Sequence, residues 1–275
     1  MDLTQLKIVS LKSLIPHELA DFKRIGFLSK RIYRDGHLKN PIVVGKLEEG
    51  NRFLILDGTT RASALKVLNF PDVLVQIVDF ESTEVKLDTW RHLILRTNRD
   101  EIEEEAKRLH LDVTPTNKEE ALLALRDKKV VSCFLFDQRN SLVISNGGSD
   151  LETQVRELKK FLSVCYRKPR IYCVDDGECF NLAKQTHDGE AVTHLLPTFN
   201  KEEIRSMALR GILLPMGITR FVIPQRILRV DISNEVLASS VSLEEKNLFL
   251  SELIRYRLEN KKIRLYQEPI LFLNE

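Results

Sequence analysis

The amino-acid sequence predicts a mixed α/β protein, and three observations in its first eighty residues carry that prediction. Two apolar, β-branched segments, residues 42–47 and 52–56, flank a Glu-Glu-Gly-Asn turn and predict a β-hairpin. Residues 61–68 follow with apolar side chains at helical spacing. Residues 73–78 are almost entirely apolar and predict a buried strand. With a first strand at residues 7–11, the order strand, hairpin, helix, strand predicts a small α/β unit.

From about residue 97 the sequence changes in composition, and helix-capping signals become frequent. Four pairs of a capping residue and a Glu three positions later predict helix starts: Asn117 with Glu120, Ser149 with Glu152, Asn200 with Glu203 and Ser242 with Glu245. A helix is also predicted over residues 99–111, and extended segments over residues 129–136, 142–145, 171–174, 191–195, 218–232 and 263–273. We therefore expect two domains, residues 1–96 and 97–275.

Composition and charge exclude several classes of protein. The chain has 42 basic and 40 acidic residues, a balance unlike that of a protein that coats nucleic acid. No apolar run approaches the roughly 18 residues of a membrane helix, and the N-terminus lacks a signal-peptide pattern. The four cysteines show no CxxC spacing, which favours free thiols over a zinc site. We expect a cytoplasmic protein without a membrane partner.

The segment Leu56–Arg61, with the sequence LDGTTR, has the features of a strand-to-helix turn that binds phosphate. The first turn of a helix presents unpaired N–H groups, and Gly58 allows a ligand to approach the backbone closely. Thr59 and Thr60 offer hydroxyl donors, Arg61 offers a bidentate cation, and Asp57 is a candidate magnesium ligand. A plain turn, in which Asp57 and Thr59 cap the helix and Arg61 is solvated, remains the alternative.

Five segments in chain order resemble motifs of the free L-serine kinases, a branch of the ParB/sulfiredoxin-like fold. They are residues 6–18, which end in His17-Glu18, then residues 40–44, Leu56–Arg61, Asp88–Trp90 and residues 215–221. The resemblance implies a ParB/sulfiredoxin-like nucleotide-binding domain over residues 1–96. It implies a larger mixed α/β domain over residues 97–275 that completes the substrate site.

The same resemblance implies phosphoryl transfer from ATP or ADP, with Mg2+, to the hydroxyl of free L-serine, which gives O-phospho-L-serine. Relatives of this type include one encoded in a siderophore biosynthesis cluster. By position, Glu18 matches the general base, and Asp57 matches a carboxylate beside the phosphates. The resemblance also implies that Gly58, Thr59, Thr60 and Arg61 cradle phosphate. The chain departs from many relatives at Thr60, where they have a histidine, so phosphate affinity or donor choice is expected to differ.

Three further residues match the amino-acid side of that site. Trp90 matches a tryptophan near the serine pocket, while Thr219 and Arg220 match a pair that grips the serine carboxylate or the product phosphate. Core packing of Trp90 and a solvated Arg220 remain the alternatives.

Two other functions compete with the kinase. A ParB-like, nucleotide-dependent DNA-binding regulator is the alternative, although we find no clear helix-turn-helix pattern and the charge is balanced. A sulfiredoxin-like reductase would need a cysteine between Gly58 and Arg61, and the chain has none there. The sequence does not predict the oligomeric state.

Overall fold

The computed structural model describes residues 3, 5–47, 50–137, 140–146, 150–165, 171–174 and 191–266. Contacts divide the chain into two compact units: Met1–Ile15, Ala20–Phe80 and Gln225–Glu275 form the first, and Pro16–Leu19 with Glu81–Pro224 form the second. The prediction that residues 1–96 form the nucleotide-binding domain stays a prediction. The two compact units have other bounds than the predicted domains, because residues 81–96 belong to the second unit and residues 225–275 to the first.

The first unit is built on a five-stranded mixed sheet in the order β1-β6-β4-β5-β2. Its strands are β1 (Leu6–Ser10), β2 (Leu14–Ile15), β4 (Ile42–Lys46), β5 (Phe53–Asp57) and β6 (Asp72–Val78), and a small ribbon pairs β3 (His37–Leu38) with β15 (Ile232–Ser233). Its helices are α1 (Phe22–Asp35), α2 (Thr59–Val67), α7 (Asn234–Ala238) and α8 (Leu243–Glu259). One apolar core joins sheet and helices, because the buried faces of all these elements contribute to it.

The second unit contains a six-stranded antiparallel sheet in the order β12-β8-β13-β10-β11-β9. These strands are β8 (Arg91–Leu95), β9 (Asp112–Thr116), β10 (Ser132–Leu135), β11 (Ser141–Ser145), β12 (Ile171–Val174) and β13 (Ala191–Leu195). Its helices are α3 (Arg99–Arg108), α4 (Lys118–Arg126), α5 (Leu151–Cys165) and α6 (Lys201–Leu209). A separate antiparallel ribbon pairs β7 (Lys86–Thr89) with β14 (Thr219–Val222).

The mixed α/β class predicted from the sequence is confirmed, and so are most local signals. Strands β4 and β5 pair antiparallel, as the predicted hairpin requires. Asn200 and Ser242 both close capping boxes, and Gly211 follows α6 with a positive φ of 74°. Cys133 is a buried free thiol whose pKa burial raises to about 12. Among the described residues, none of the helices is long and apolar enough to cross a membrane.

Three predictions of secondary structure need correction or lie outside the described residues. Helix α1 was not predicted, although it is strongly amphipathic and buries Ser29 and Ile32 on one face. Residues 218–232 are strand only at the two ends, since Pro224 and two positive-φ residues, Arg229 and Asp231, interrupt them. Residues 263–266 are not strand, while the remainder of the predicted strand 263–273 and the cap at Ser149 lie outside the described residues.

A buried ion pair anchors the C-terminal helix α8 to the first sheet. Lys246 has no exposed side-chain surface, and its Nζ donates to Asp72 Oδ2 at 2.6 Å and to the carbonyls of Leu237 and Ser239 at 3.2 and 2.7 Å. Removing one member of such a pair leaves an uncompensated buried charge, which is costly.

We predict that Lys246→Met lowers the free energy of unfolding by about 3–5 kcal/mol, because Asp72 loses its cation. Urea unfolding measures the change. The exposed control Lys23→Ala should change it by less than about 0.5 kcal/mol, and Asp72→Asn should restore part of the stability of Lys246→Met. Equal stability of Lys246→Met and the control would contradict the assigned anchor.

Candidate functional site

The predicted phosphate-binding turn lies where β5 ends and α2 begins. Asp57 is the last residue of the buried strand, and Thr59 is the first residue of the helix. Gly58 occupies the N-cap position with φ 107° and ψ 22°, and α2 has no side-chain hydrogen bond at this cap. The plain-cap alternative therefore does not describe this turn. The first N–H groups of α2 remain without a side-chain cap, as an anion-binding helix start requires.

Gly58 is favoured at this turn because its φ of 107° is one that L-residues rarely adopt. A Cβ at position 58 would also be 2.8 Å from Arg61 Nη2 and 3.0 Å from Nε, so the flexible guanidinium group would have to shift. Glycine thus lets the guanidinium group of Arg61 fold back across the start of its own helix.

Asp57 receives two guanidinium groups on the same oxygen atom. Arg61 Nη2 donates to Asp57 Oδ2 at 3.1 Å, and Arg226 Nη1 donates to it at 2.7 Å. Burial works against the charged form of Asp57, yet the charges and hydrogen bonds of the two arginines outweigh it. The pKa of the Asp57 carboxyl therefore lies below its ordinary value.

Arg226 is the residue of this cluster that the sequence analysis missed. It is 169 positions from Asp57 in a segment without regular secondary structure, so neither spacing nor periodicity links the two. Its place six residues after Arg220, in continuation of the fifth motif, is the one signal that could have drawn attention to it.

Asp57 does not fit the role of magnesium ligand that the sequence suggested. Two guanidinium groups already share its Oδ2, and a divalent cation beside them would meet their repulsion. Within the part of the chain that the structure describes, no group of three or more His, Cys, Asp or Glu side chains is arranged to hold a metal ion.

A second cluster, in the other compact unit, is organised around Glu18. The residues on either side of Glu18 form backbone hydrogen bonds with Leu214. Leu19 N–H donates to the carbonyl of Leu214 at 2.8 Å, and Leu214 N–H donates to the carbonyl of His17 at 2.8 Å. The Glu18 carboxylate then accepts the N–H groups of three consecutive residues: Gly217 at 3.1 Å, Ile218 at 3.1 Å and Thr219 at 2.6 Å. Charge-assisted bonds of this kind fix both the carboxylate and the segment.

The Thr219 hydroxyl connects Glu18 to a buried histidine. It lies 2.6 Å from Glu18 Oε1 and 2.6 Å from His17 Nε2. A carboxylate only accepts, so the hydroxyl donates to Glu18 and accepts from His17, which assigns the proton to Nε2 of His17. Thr219 was predicted to bind substrate, and that role stays a prediction. In this structure its hydroxyl bonds to Glu18 and His17, and a substrate contact would require one of these two bonds to be released.

Trp90 and Arg220 meet on the ribbon formed by β7 and β14. The register pairs Thr219 with Thr89 and Arg220 with Asp88, and Trp90 N–H donates to the carbonyl of Ile218 at 2.9 Å. The guanidinium carbon of Arg220 lies 4.8 Å from the centre of the Trp90 ring, within cation–π range. Thus Glu18, Trp90, Thr219 and Arg220, which are dispersed in sequence, are assembled within one unit.

His92 holds the same segment from its other side. Its Nε2 lies 2.7 Å from the carbonyl oxygen of Gly217, whose N–H binds Glu18. Burial lowers the pKa of His92, although the bond to Gly217 opposes that shift. Burial also holds the pKa of neighbouring His194 well below its usual value, with the charge of His92 adding to the effect. Both imidazoles are therefore neutral at neutral pH.

We predict that the free energy of unfolding falls as the pH falls below about 6.5, the ordinary histidine pKa. Since the native pKa values of His92 and His194 are lowered, the unfolded chain binds these protons first, and each histidine contributes a slope of up to about 1.4 kcal/mol per pH unit. Urea unfolding between pH 7.5 and 5 measures it. His92→Gln should reduce the slope, exposed His37→Gln should not, and identical slopes in all three proteins would contradict the assignment.

We predict that Gly58→Ala destabilises the chain by about 1–3 kcal/mol, because the new Cβ is strained and displaces Arg61. Gly26→Ala is the matched control. Gly26 lies in the exposed part of α1 with no atom within 4 Å of a built Cβ, so alanine should stabilise by about 0.5–1 kcal/mol. Thermal and urea unfolding measure both changes. Stabilisation by both substitutions would show that Arg61 does not cover position 58.

Comparisons with known proteins agree with the resemblance found in the sequence. An ATP-dependent L-serine kinase of Desulfurococcus mucosus is 31% identical over 101 residues, which are 37% of this chain and 40% of that protein. The ATP-dependent L-serine kinase SbnI of Staphylococcus aureus is 29% identical over 89 residues, 32% of this chain and 34% of SbnI. These alignments span well under half of the relatives' length. No family model matches the chain.

Solved structures extend the likeness over most of the chain. A free serine kinase in complex with AMP has a TM-score of 0.71 at 22% identity and covers 84% of this chain and 93% of its own. A C-terminally truncated SbnI from Staphylococcus aureus has a TM-score of 0.73 at 19% identity and covers 93% of this chain and 98% of its own. The resemblance to free L-serine kinases is therefore confirmed: the chain is similar to them in sequence and has their fold.

Proposed function

We propose that this chain is a kinase that transfers a phosphoryl group from ATP to the hydroxyl of free L-serine and forms O-phospho-L-serine. The observation that carries the proposal is the fixed carboxylate of Glu18, held by three successive N–H groups beside Trp90 and Arg220 in a chain with the free serine kinase fold. A serine hydroxyl is a weak nucleophile, and a positioned carboxylate can accept its proton.

The hydrogen bonds of Glu18 support one oxygen as the base. Among the described residues, Oε1 accepts from Ile218 N–H, Thr219 N–H and the Thr219 hydroxyl, whereas Oε2 accepts from Gly217 N–H alone. Oε2 therefore keeps a lone pair for a substrate proton. In the proposed step the proton of the serine hydroxyl moves to Oε2. The serine oxygen bonds to the γ-phosphorus, and the bond from that phosphorus to the bridging oxygen breaks to release ADP.

The other predicted residues have roles that fit this step. Arg220 is proposed to bind the serine carboxylate, for which a planar, bidentate guanidinium is suited, and Trp90 holds Arg220 in place from the ring side. Gly58, Thr59, Thr60 and Arg61 are proposed to bind nucleotide phosphates at the start of α2.

ATP is the proposed donor because the relatives are named ATP-dependent. ADP stays the alternative donor, and a free serine kinase has been solved with ADP bound. Mg2+ is proposed to enter with the nucleotide, since this ion is commonly held mainly by substrate phosphates and waters. The cytoplasm is the proposed compartment. A DNA-binding regulator is not favoured, because the similar proteins are named as kinases.

We predict that the purified chain with ATP, Mg2+ and L-serine produces O-phospho-L-serine and ADP in equal amounts. Glu18→Gln should lower kcat by about 100- to 10,000-fold, because the amide cannot take the proton. Glu119→Gln, at an exposed position on α4, is the matched control and should leave kcat unchanged. Coupled ADP release and mass spectrometry of the product measure these rates. Failure to phosphorylate any free hydroxy amino acid with either ATP or ADP would overturn the proposed function.

A further inference from the structure

We infer that Arg226 is a second phosphate-binding cation of the turn at Gly58, and that Asp57 is a positioning residue that holds Arg226 and Arg61 together there. The inference rests on the proposed nucleotide binding of this turn. It assigns a ligand-binding role to a residue outside the turn, and it replaces the catalytic or metal-binding role of Asp57 with an organising one.

The first observation that supports this role of Arg226 is the net charge of the turn. Of the residues from Asp57 to Arg61, Arg61 is the one cation and Asp57 the one anion, so the turn by itself is neutral. Thr59 and Thr60 contribute hydroxyls and no charge. Arg226 raises the formal charge of the cluster to +1 by bringing a second guanidinium group to the same carboxylate. This surplus positive charge favours the binding of a polyphosphate, because hydrogen bonds between a guanidinium group and a phosphate are stronger than those between neutral groups.

The second observation is that both guanidinium groups bond to the same carboxylate. Both guanidinium groups bond to one atom, Asp57 Oδ2, at 3.1 and 2.7 Å, so the two like charges are held close to each other. Such proximity is unfavourable unless anions lie between or beside the cations. Asp57 provides one anion, and a phosphate group beside the pair would provide the other.

The third observation is the exposure of these three side chains, together with a hydrogen-bond donor that lacks an acceptor. The side chains of Arg61, Arg226 and Asp57 are 25%, 39% and 41% exposed, so a ligand can reach the cluster from solvent. Arg61 Nε is nevertheless buried and has no hydrogen-bond partner among the described residues. A buried donor without an acceptor is uncommon in folded proteins. A shift of the Arg61 side chain that exposes Nε would let an oxygen of a bound phosphate supply the acceptor.

The effects of replacing Arg226 distinguish a phosphate contact from a simple surface ion pair. Exposed ion pairs contribute little to stability, so Arg226→Gln should have a small effect on folding. If Arg226 contacts phosphate, however, its loss should weaken the binding of phosphorylated nucleosides selectively. Adenosine, which lacks phosphate, should bind equally well to both proteins.

Calorimetric titration of the full chain with ADP and with adenosine tests the inference. Arg226→Gln should weaken ADP binding about 10- to 100-fold and leave adenosine binding unchanged, as expected for a lost charge-assisted contact to phosphate. Arg226→Lys should recover part of the affinity, because it restores the charge but not the planar fork. Arg34→Gln, whose side chain is 78% exposed on α1, is the matched control and should bind ADP as the parent does.

Asp57→Asn tests the organising role in the same assay. As a positioning residue, Asp57 should be replaceable at a moderate cost: ADP affinity falls, the KM for ATP rises more than kcat falls, and the Mg2+ concentration for half-maximal rate stays the same. A large shift in the Mg2+ requirement would instead identify Asp57 as a metal ligand and overturn the assignment.

These outcomes are separable from the fate of the proposed kinase function. Selective loss of ADP binding in Arg226→Gln supports the inference even if L-serine is not the acceptor. Wild-type ADP affinity in Arg226→Gln overturns it even if the chain phosphorylates serine, and so does the absence of ADP binding by the unmodified chain. Equal weakening of ADP and adenosine would also overturn it, since that pattern indicates general damage to the fold.

Discussion

The fixed carboxylate of Glu18 is the interaction on which the candidate active site depends. By accepting N–H groups from Gly217, Ile218 and Thr219, it determines the path of the segment that leads into β14. That path sets the register of β14 against β7 and so places Arg220 beside Trp90. His92 on the carbonyl of Gly217 and His17 on the hydroxyl of Thr219 complete the support. The proposed base therefore also organises the residues among which it would act.

The proposed phosphate-binding turn follows a different principle, in which a missing side chain and a shared carboxylate replace a regular motif. Gly58 leaves room for Arg61 to cover the helix start, and Asp57 draws Arg226 to the same place. The depressed pKa of Asp57 keeps the carboxylate charged well into the acidic range, so the arginine pair is held at any pH where a kinase would work. If Arg226 contacts phosphate as proposed, it supplies the positive charge that Thr60 lacks.

Local features were readable from the sequence because their causes are local. The hairpin β4–β5, the caps at Asn200 and Ser242 and the glycine after α6 each follow from a few neighbouring residues. The resemblance to serine kinases identified Glu18, Trp90 and Arg220 as candidate site residues. The hydrogen-bond partners of Glu18 are 199 to 201 positions away in sequence, and Arg226, a partner of Asp57, is 169 positions away. No spacing rule links such distant residues. Helix α1 was missed although it is strongly amphipathic, with Phe22, Phe27 and Tyr33 exposed to solvent.

If Glu18 accepts the serine proton while its surroundings bind substrate, chemistry and binding should be separable. Single-turnover rapid-quench kinetics, with enzyme in excess over ATP and L-serine saturating, measures the transfer step directly. Glu18→Gln should still bind ADP with near-parent affinity but form O-phospho-L-serine at least about 100-fold more slowly. An unchanged single-turnover rate in Glu18→Gln would contradict this role and leave Glu18 as the anchor of the Gly217–Thr219 segment alone.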